Sequence, residues 1–212
     1  MSTVSHTIDK RIRIACLGDS ITAGYGLSDP LNNSYPAVLQ QLLGGSYYVR
    51  NFGANGATVL HNSPASYIMT EEWFNARDFA PDIIVSELGA NDLIPGNIDR
   101  FEDDFIEDYL ELIDGVTKLS SDVRVFITSL TPINVVFRER PDFLGTWYSR
   151  IQNMISVTAK RQAATLIDIV APMKDALNRG VSLFPDGIHP NDLGANIIAH
   201  RVFESLSEHL KL

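Results

Sequence analysis

The sequence predicts an α/β domain in three α/β/α layers, a parallel sheet covered by helices on both faces. Three observations lead there. Short apolar, β-branched runs alternate with stretches of helical period along the chain. The runs are near-continuous rather than alternating, as strands buried on both faces require. Three of them end in a glycine-bearing loop, at Gly18, at Gly53 to Thr58 and at Gly89 to Asp92, which is how an open α/β sheet presents the carboxyl ends of its strands. With 212 residues there is length for one sizeable core, and a single domain spanning 1–212, its core at about 11–210, is expected.

The first strand is read from Ile12, Ile14, Ala15, Cys16 and Leu17, all apolar and buried on both faces, and Gly18 ends it. Asp19 and Ser20 fall where this strand gives way to a helix. Gly18, Gly24 and Gly26 permit tight turns, so Ser20 is expected at a strand end with main-chain N–H groups around it. Tyr35 to Leu43 has helical spacing, with Pro36 suited to the first turn and Gly44 and Gly45 to the stop. Tyr47 to Phe52 is aromatic and β-branched enough for a second strand. A helix is read over Tyr67 to Phe79 with Met69, Trp73 and Phe74 as its apolar side, ended by Pro81 and Asp82. Ile83 to Leu88 is the third strand.

Phe101 to Leu119 repeats apolar residues at Phe105, Tyr109, Leu112, Ile113 and Val116, which is helical period. Val123 to Leu130 is the fourth strand. Asn134 to Gly145, with Arg138, Glu139, Arg140 and Pro141, is too irregular for a core element and long enough for a binding loop. Thr146 to Ala163 reads as helix, Leu166 to Ile169 as a fifth strand, Ala171 to Asn178 as a short helix and Leu193 to Leu210 as a last amphipathic helix. Strand–helix–strand units cross over right-handed, so the loops at Ser20, Gly56 and Asn91 are expected to converge on one edge of the sheet.

Composition narrows the partners. The chain is 45% hydrophobic and 20% charged, with a net charge of −9 and an isoelectric point near 4.9. An acidic chain without a cluster of Lys and Arg is unsuited to sequence-independent binding of nucleic acid or of anionic membranes. No apolar run reaches the length of a membrane helix, so no stable membrane insertion is expected. The amino-terminal stretch MSTVSHTIDKRIR lacks the apolar core of a secretory signal, which gives the expectation of a cytoplasmic protein. The single cysteine, Cys16, forms no internal disulfide and reads as a small buried hydrophobe. Oligomeric state is not legible at this level.

A serine hydroxyl is a poor nucleophile until a base takes its proton, and a neutral imidazole is the base suited to neutral pH. Of the five histidines (His6, His61, His189, His200 and His209), His189 alone sits in a rigid loop with an acid close by. Asp186 lies three residues earlier, so one turn can hold its carboxylate against the ring, and Pro185, Gly187 and Pro190 stiffen that turn. The other four read as solvated or capping residues. Donors aimed at a developing oxyanion are available from the backbone N–H of Ser20, the backbone N–H of Gly56 and the side-chain amide of Asn91. Asp19 reads as a turn support or helix cap. Each feature alone is common; their fixed order, each at a strand end or in the terminal loop, is not.

These residues carry a resemblance. The sequence resembles the SGNH hydrolases, the GDSL-type esterase and lipase superfamily, from about Arg11 to the final helix. Gly18-Asp19-Ser20-Ile21 is similar to the first block of that superfamily, with Ile where Leu is usual. The loop from Asn51 to Thr58 resembles the second, Gly89-Ala90-Asn91-Asp92 the third and Asp186-Gly187-Ile188-His189-Pro190 the fifth. Asn55 stands where a serine is frequent. The resemblance implies a flavodoxin-like five-stranded parallel sheet in the order 2-1-3-4-5, a Ser20–His189–Asp186 triad, an oxyanion hole from Ser20, Gly56 and Asn91, no metal and no cofactor. It implies a serine esterase acting on a small-molecule ester, but the four blocks do not distinguish substrates. A small single domain without an evident apolar lid or membrane-binding helix favours a short acyl ester, an acetyl ester foremost, of a carbohydrate or other polar alcohol.

The alternatives are a lysophospholipase or thioesterase of the same superfamily and an inactive ligand-binding relative. Outside the superfamily stand a phosphate-binding protein, for which the first loop lacks the Gly-Lys-Ser/Thr ending, and metal-dependent hydrolysis through Asp19, Asp92, Asp186 and His189. Arg138, Arg140, Trp147 and Tyr148 are candidates for binding a sugar or an anionic leaving group, against a plain exposed ion-paired loop.

Overall fold

The apolar runs and helical stretches fold in the expected alternation in a computed structural model that describes residues 11–94, 98–118, 122–133 and 141–210. In chain order these are β1 (Ile12–Gly18), α1 (Ser20–Ala23), α2 (Pro30–Asn33), α3 (Tyr35–Leu43), β2 (Tyr47–Gly53), α4 (Glu71–Phe79), β3 (Ile83–Glu87), α5 (Ile98–Thr117), β4 (Arg124–Thr128), α6 (Pro141–Arg161), β5 (Thr165–Ile167), α7 (Val170–Asn178) and α8 (Asp192–Leu210). All neighbouring strands pair in parallel, in the order β2-β1-β3-β4-β5. The strand order reverses beside β1, so the crevice outside its carboxyl end is the natural place for a site.

Alternate residues of β1 feed two cores. Ile14 and Cys16 face one side with Leu39 of α3, Met173 of α7 and Ile198 and Val202 of α8. Ala15 and Leu17 face the other with Ala76 of α4, Phe105, Tyr109 and Leu112 of α5 and Ile151 and Ile155 of α6. Each fully buried side chain of this size contributes about 1.5–3 kcal/mol. The central strand is thereby fixed from both faces, which holds its carboxyl end still. Cys16 lies wholly in this core, and burial pushes its thiol up to about 12, partly opposed by a side-chain hydrogen bond with Tyr35.

Several expectations are corrected. The helix read over Tyr67 to Phe79 is interrupted at Thr70: Tyr67–Met69 is a 3-10 turn, and the Thr70 side chain accepts the Trp73 N–H at 3.2 Å to start α4. Met69 and Phe74, read as its apolar side, are 75% and 48% exposed. The buried contacts belong to Ala76 and to Trp73, whose indole packs over Gly115 and donates to the Leu112 carbonyl at 3.2 Å. Residues 141–145, read as the end of a loop, open α6, with Pro141 at its first position. Residues 134–140, with Arg138 and Arg140, lie outside the described residues, as does His6.

Ile12 at the start of β1 is exposed rather than buried. His61 and His209 are tied down: the His61 ring lies 3.4 Å from Asp108, and His209 Nδ1 donates to the Ser205 carbonyl at 2.8 Å. The helix expected after Ser20 is the single turn α1, capped by Asp19; the short helix α2, started by Pro30, was not expected. Among the described residues, no helix is long and apolar enough to cross a membrane.

Candidate active site

Two glycines let the first two loops approach. Gly18 and Gly53 are paired in register at the ends of β1 and β2, and the Ala54 N–H donates to the Gly18 carbonyl at 2.9 Å. A Cβ on Gly18 would lie 1.9 Å from Thr22 Oγ1, and one on Gly53 would lie 2.2 Å from the Ala23 backbone nitrogen. Only hydrogen fits at either place. Asp19 is fully buried and caps α1, its Oδ1 accepting the Ile21 N–H at 2.9 Å. This cap puts Ser20 at the first position of α1, half-buried. The Ser20 N–H donates to no group among the described residues, and neither does the N–H of Gly56, which sits exposed with φ +75°.

From the last loop, His189 arrives at Ser20. Its Nε2 lies 2.9 Å from Ser20 Oγ, and its Nδ1 lies 2.6 Å from Asp186 Oδ2. A carboxylate only accepts, so the Nδ1 proton belongs between His189 and Asp186, which leaves the Nε2 lone pair for the serine hydroxyl. Asp186 Oδ1 accepts the backbone N–H groups of Ile188 at 2.9 Å and His189 at 2.8 Å, so the turn is locked by the acid that orients the ring. Partial burial raises the Asp186 carboxyl, but the bonds from the His189 ring and these two N–H groups outweigh it and hold it down at about 2. It is ionised at neutral pH.

The third loop closes the far side. Asn91 Nδ2 donates to the Ala57 carbonyl at 3.0 Å and to Asp19 Oδ2 at 3.2 Å, bridging the first and second loops. Asp92 is fully buried, and its two oxygens accept the N–H groups of Leu60 and Val59, each at 3.0 Å. Burial raises Asp92 to about 7 against those two bonds, and raises Asp19 to about 6 against the bond from Ile21 and the attraction of His189. Glu87, in register with Gly18, is also fully buried, and its carboxyl is pushed well above the usual range by burial and then by Asp19. Burial thus raises Asp19, Glu87 and Asp92, while Asp186 beside the histidine is held down.

At 2.9 Å, Ser20 Oγ and His189 Nε2 are close enough to exchange one proton. Residues 16–197 of the chain match the GDSL-like Lipase/Acylhydrolase family. The chain belongs to that family. It is 32% identical over 203 residues to an acetylxylan esterase of Xylanibacter ruminicola, a match covering 89% of this chain and 42% of the relative. The chain thus spans less than half the length of that curated relative.

Two solved structures share the fold of this GDSL-like chain. A member of the lipolytic G-D-S-L family from Veillonella parvula superposes with a TM-score of 0.70 at 20% identity, covering 92% of this chain and 98% of that one. An acetyl xylan esterase superposes with a TM-score of 0.68 at 20% identity, covering 92% and 100%.

The residues named from the sequence, Asp19, Ser20, Gly56, Asn91, Asp186 and His189, come from four separate loops. Ser20, His189 and Asp186 form one hydrogen-bonded series, and Asp19 and Asn91 meet behind it. Asp92, weighed in the sequence only as a metal ligand, is directed at the second loop, and no three His, Cys, Asp or Glu side chains gather as a metal-binding set among the described residues. Glu87 and Tyr25 were missed. Glu87 is legible only as an acid inside an apolar strand, and Tyr25 as an aromatic residue held between Gly24 and Gly26 just past the serine.

Proposed function

We propose that the chain is a serine esterase that removes a short acyl group, an acetyl group foremost, from a carbohydrate or other polar alcohol. The observation that carries this reading is the continuous series from Ser20 Oγ through His189 to Asp186, with contacts of 2.9 and 2.6 Å. His189 Nε2 takes the Ser20 proton as Oγ attacks the ester carbonyl, and the resulting oxyanion receives the N–H groups of Ser20 and Gly56. The Asn91 amide serves the same oxygen by sharing a hydrogen now given to Ala57 and Asp19. The tetrahedral intermediate collapses as His189 passes its proton to the leaving alcohol. Water, deprotonated by His189, then attacks the acyl–Ser20 ester, and the proton returns to Ser20 as the acid leaves. Asp186 keeps the Nδ1 proton in place and stabilises the imidazolium.

The acetylxylan esterase relative supports an acetyl ester of a carbohydrate as substrate. The test is hydrolysis of p-nitrophenyl esters from acetate to palmitate, wild type beside Ser20→Ala. Activity that falls steeply with chain length and disappears in the variant supports a serine esterase with a small acyl pocket. Equal turnover of acetate and palmitate, or activity that survives in Ser20→Ala, overturns it.

A further inference from the structure

Tyr25 is fixed to the serine that it follows. Gly24 is left-handed at φ +86°, and at this helix stop the Gly24 N–H donates to the Ile21 carbonyl at 3.2 Å and the Tyr25 N–H to the carbonyl of Ser20 itself at 2.9 Å. A second left-handed glycine, Gly26 at φ +80°, turns the chain away again, so the Tyr25 side chain projects alone between two bends. The loop beyond is pinned to the start of α8: Asp192 accepts the Ser28 N–H at 3.1 Å and the Asn33 amide at 3.2 Å. The phenol ring then meets the imidazole of His189 with centroids 4.6 Å apart and planes inclined at 51°.

Tyr25 is 56% exposed, while the His189 side chain is 18% exposed. One part of the ring covers the histidine and the rest is offered to solvent. The surface beyond it is a depression formed by the residues that follow Tyr25 and those that follow His189, among them Gly26, Ser28, Asn191 and Leu193.

The chemistry says which part of an ester comes here. In the tetrahedral intermediate the oxyanion points to the N–H donors, whereas the leaving oxygen must lie within hydrogen-bond reach of His189 Nε2 to receive its proton. The alcohol group therefore extends over the side of the site that carries Tyr25. An exposed, immobilised phenol face binds a flat ring whose C–H edges or π face it can meet, at little cost in side-chain freedom.

Resting on the esterase reading above, we infer that Tyr25 is a specificity-determining residue that stacks on the alcohol half of the ester and selects ring alcohols, a pyranose or an aryl group. The juxtaposition that carries this is an exposed ring in contact with the proton donor to the leaving group.

The test keeps the acyl group constant and changes the alcohol. kcat and KM are measured on monoacetylated methyl xylopyranoside, phenyl acetate and ethyl acetate for wild type, Tyr25→Ala and Tyr25→Trp. Tyr25→Ala is expected to lose about five- to tenfold more kcat/KM on a ring ester than on ethyl acetate, chiefly through KM, and Tyr25→Trp to restore it. A selective loss on the xyloside identifies a sugar alcohol and one on phenyl acetate an aryl alcohol; either supports the inference. Equal losses on all three esters would mean that Tyr25 only props His189, and no loss on any would mean that the alcohol does not touch it; both overturn the inference while the esterase reading stands. A folded wild type inactive on all three esters would overturn both.

Discussion

Asp92 reaches from the third loop into the second and accepts the Val59 N–H on Oδ2 at 3.0 Å, while its other oxygen takes the Leu60 N–H. No solvent reaches it. The second loop, which carries Gly56, is thus positioned by an acid adjacent in sequence to Asn91. Asp92→Ala leaves two buried donors without an acceptor and should cost about 2–4 kcal/mol. Urea denaturation checks this, and a loss under 1 kcal/mol would contradict the clamp.

The buried acids also set a pH dependence. Asp19 and Asp92 ionise near 3.8 when unfolded and at about 6 and 7 when folded, both raised first by burial. Between those values the folded state holds protons that the unfolded state has released. The stabilisation is complete below about 4 and is lost as pH rises through 6 to 7. Asp186, held at about 2, acts in the opposite sense at the acid end, contributing stability above 3.8 that is lost as pH falls toward 2. The free energy of unfolding should therefore decline from pH 5 to pH 8 by a few kcal/mol, on the order of 1–4. Stability that rises over this interval would contradict the assignment.

How much of this was legible in the sequence follows from what each residue depends on. Tyr35–Leu43 was read to the residue because Pro36 and Gly44 are local signals; alternation gave the parallel sheet, and the strand order came from the family resemblance alone. Ser20, Asp186 and His189 were legible because each sits in a stiff local motif. The break at Thr70 was not: Met69 and Phe74 keep helical spacing with Trp73, and only the packing of Trp73 against Gly115 decides which of them is buried. Asp92 and Tyr25 escaped for a related reason, since the clamp on Val59 and the contact with His189 both join segments far apart in the chain.

Glycine positions separate crowding from conformation. Gly18→Ala would place its Cβ 1.9 Å from Thr22 Oγ1 and 2.7 Å from the Glu87 carbonyl, and should cost about 3 kcal/mol or more. Gly26 has open space around it and φ +80°, so Gly26→Ala should cost only about 1–2 kcal/mol of backbone strain. Thermal unfolding of the two variants gives the order, and a Gly26 variant weaker than the Gly18 variant would reverse it.

Under the proposed mechanism Asn91→Ala lowers kcat by about a hundredfold or more with little change in KM, because the lost donor acts on the transition state. Asp186→Asn removes the acceptor that fixes the Nδ1 proton and should cost on the order of 10³–10⁴ in kcat. Steady-state kinetics on p-nitrophenyl acetate measure both. Full activity in either variant would remove that residue from the mechanism.

If His189 activates Ser20, covalent labelling shows it without knowledge of the natural ester. The folded protein is treated with an organophosphonate ester, digested, and the modified residue located by mass spectrometry. One phosphonyl group per chain is expected, on Ser20, and it is lost in His189→Ala. A folded wild type left unmodified, or modified on another residue with Ser20 untouched, would contradict it.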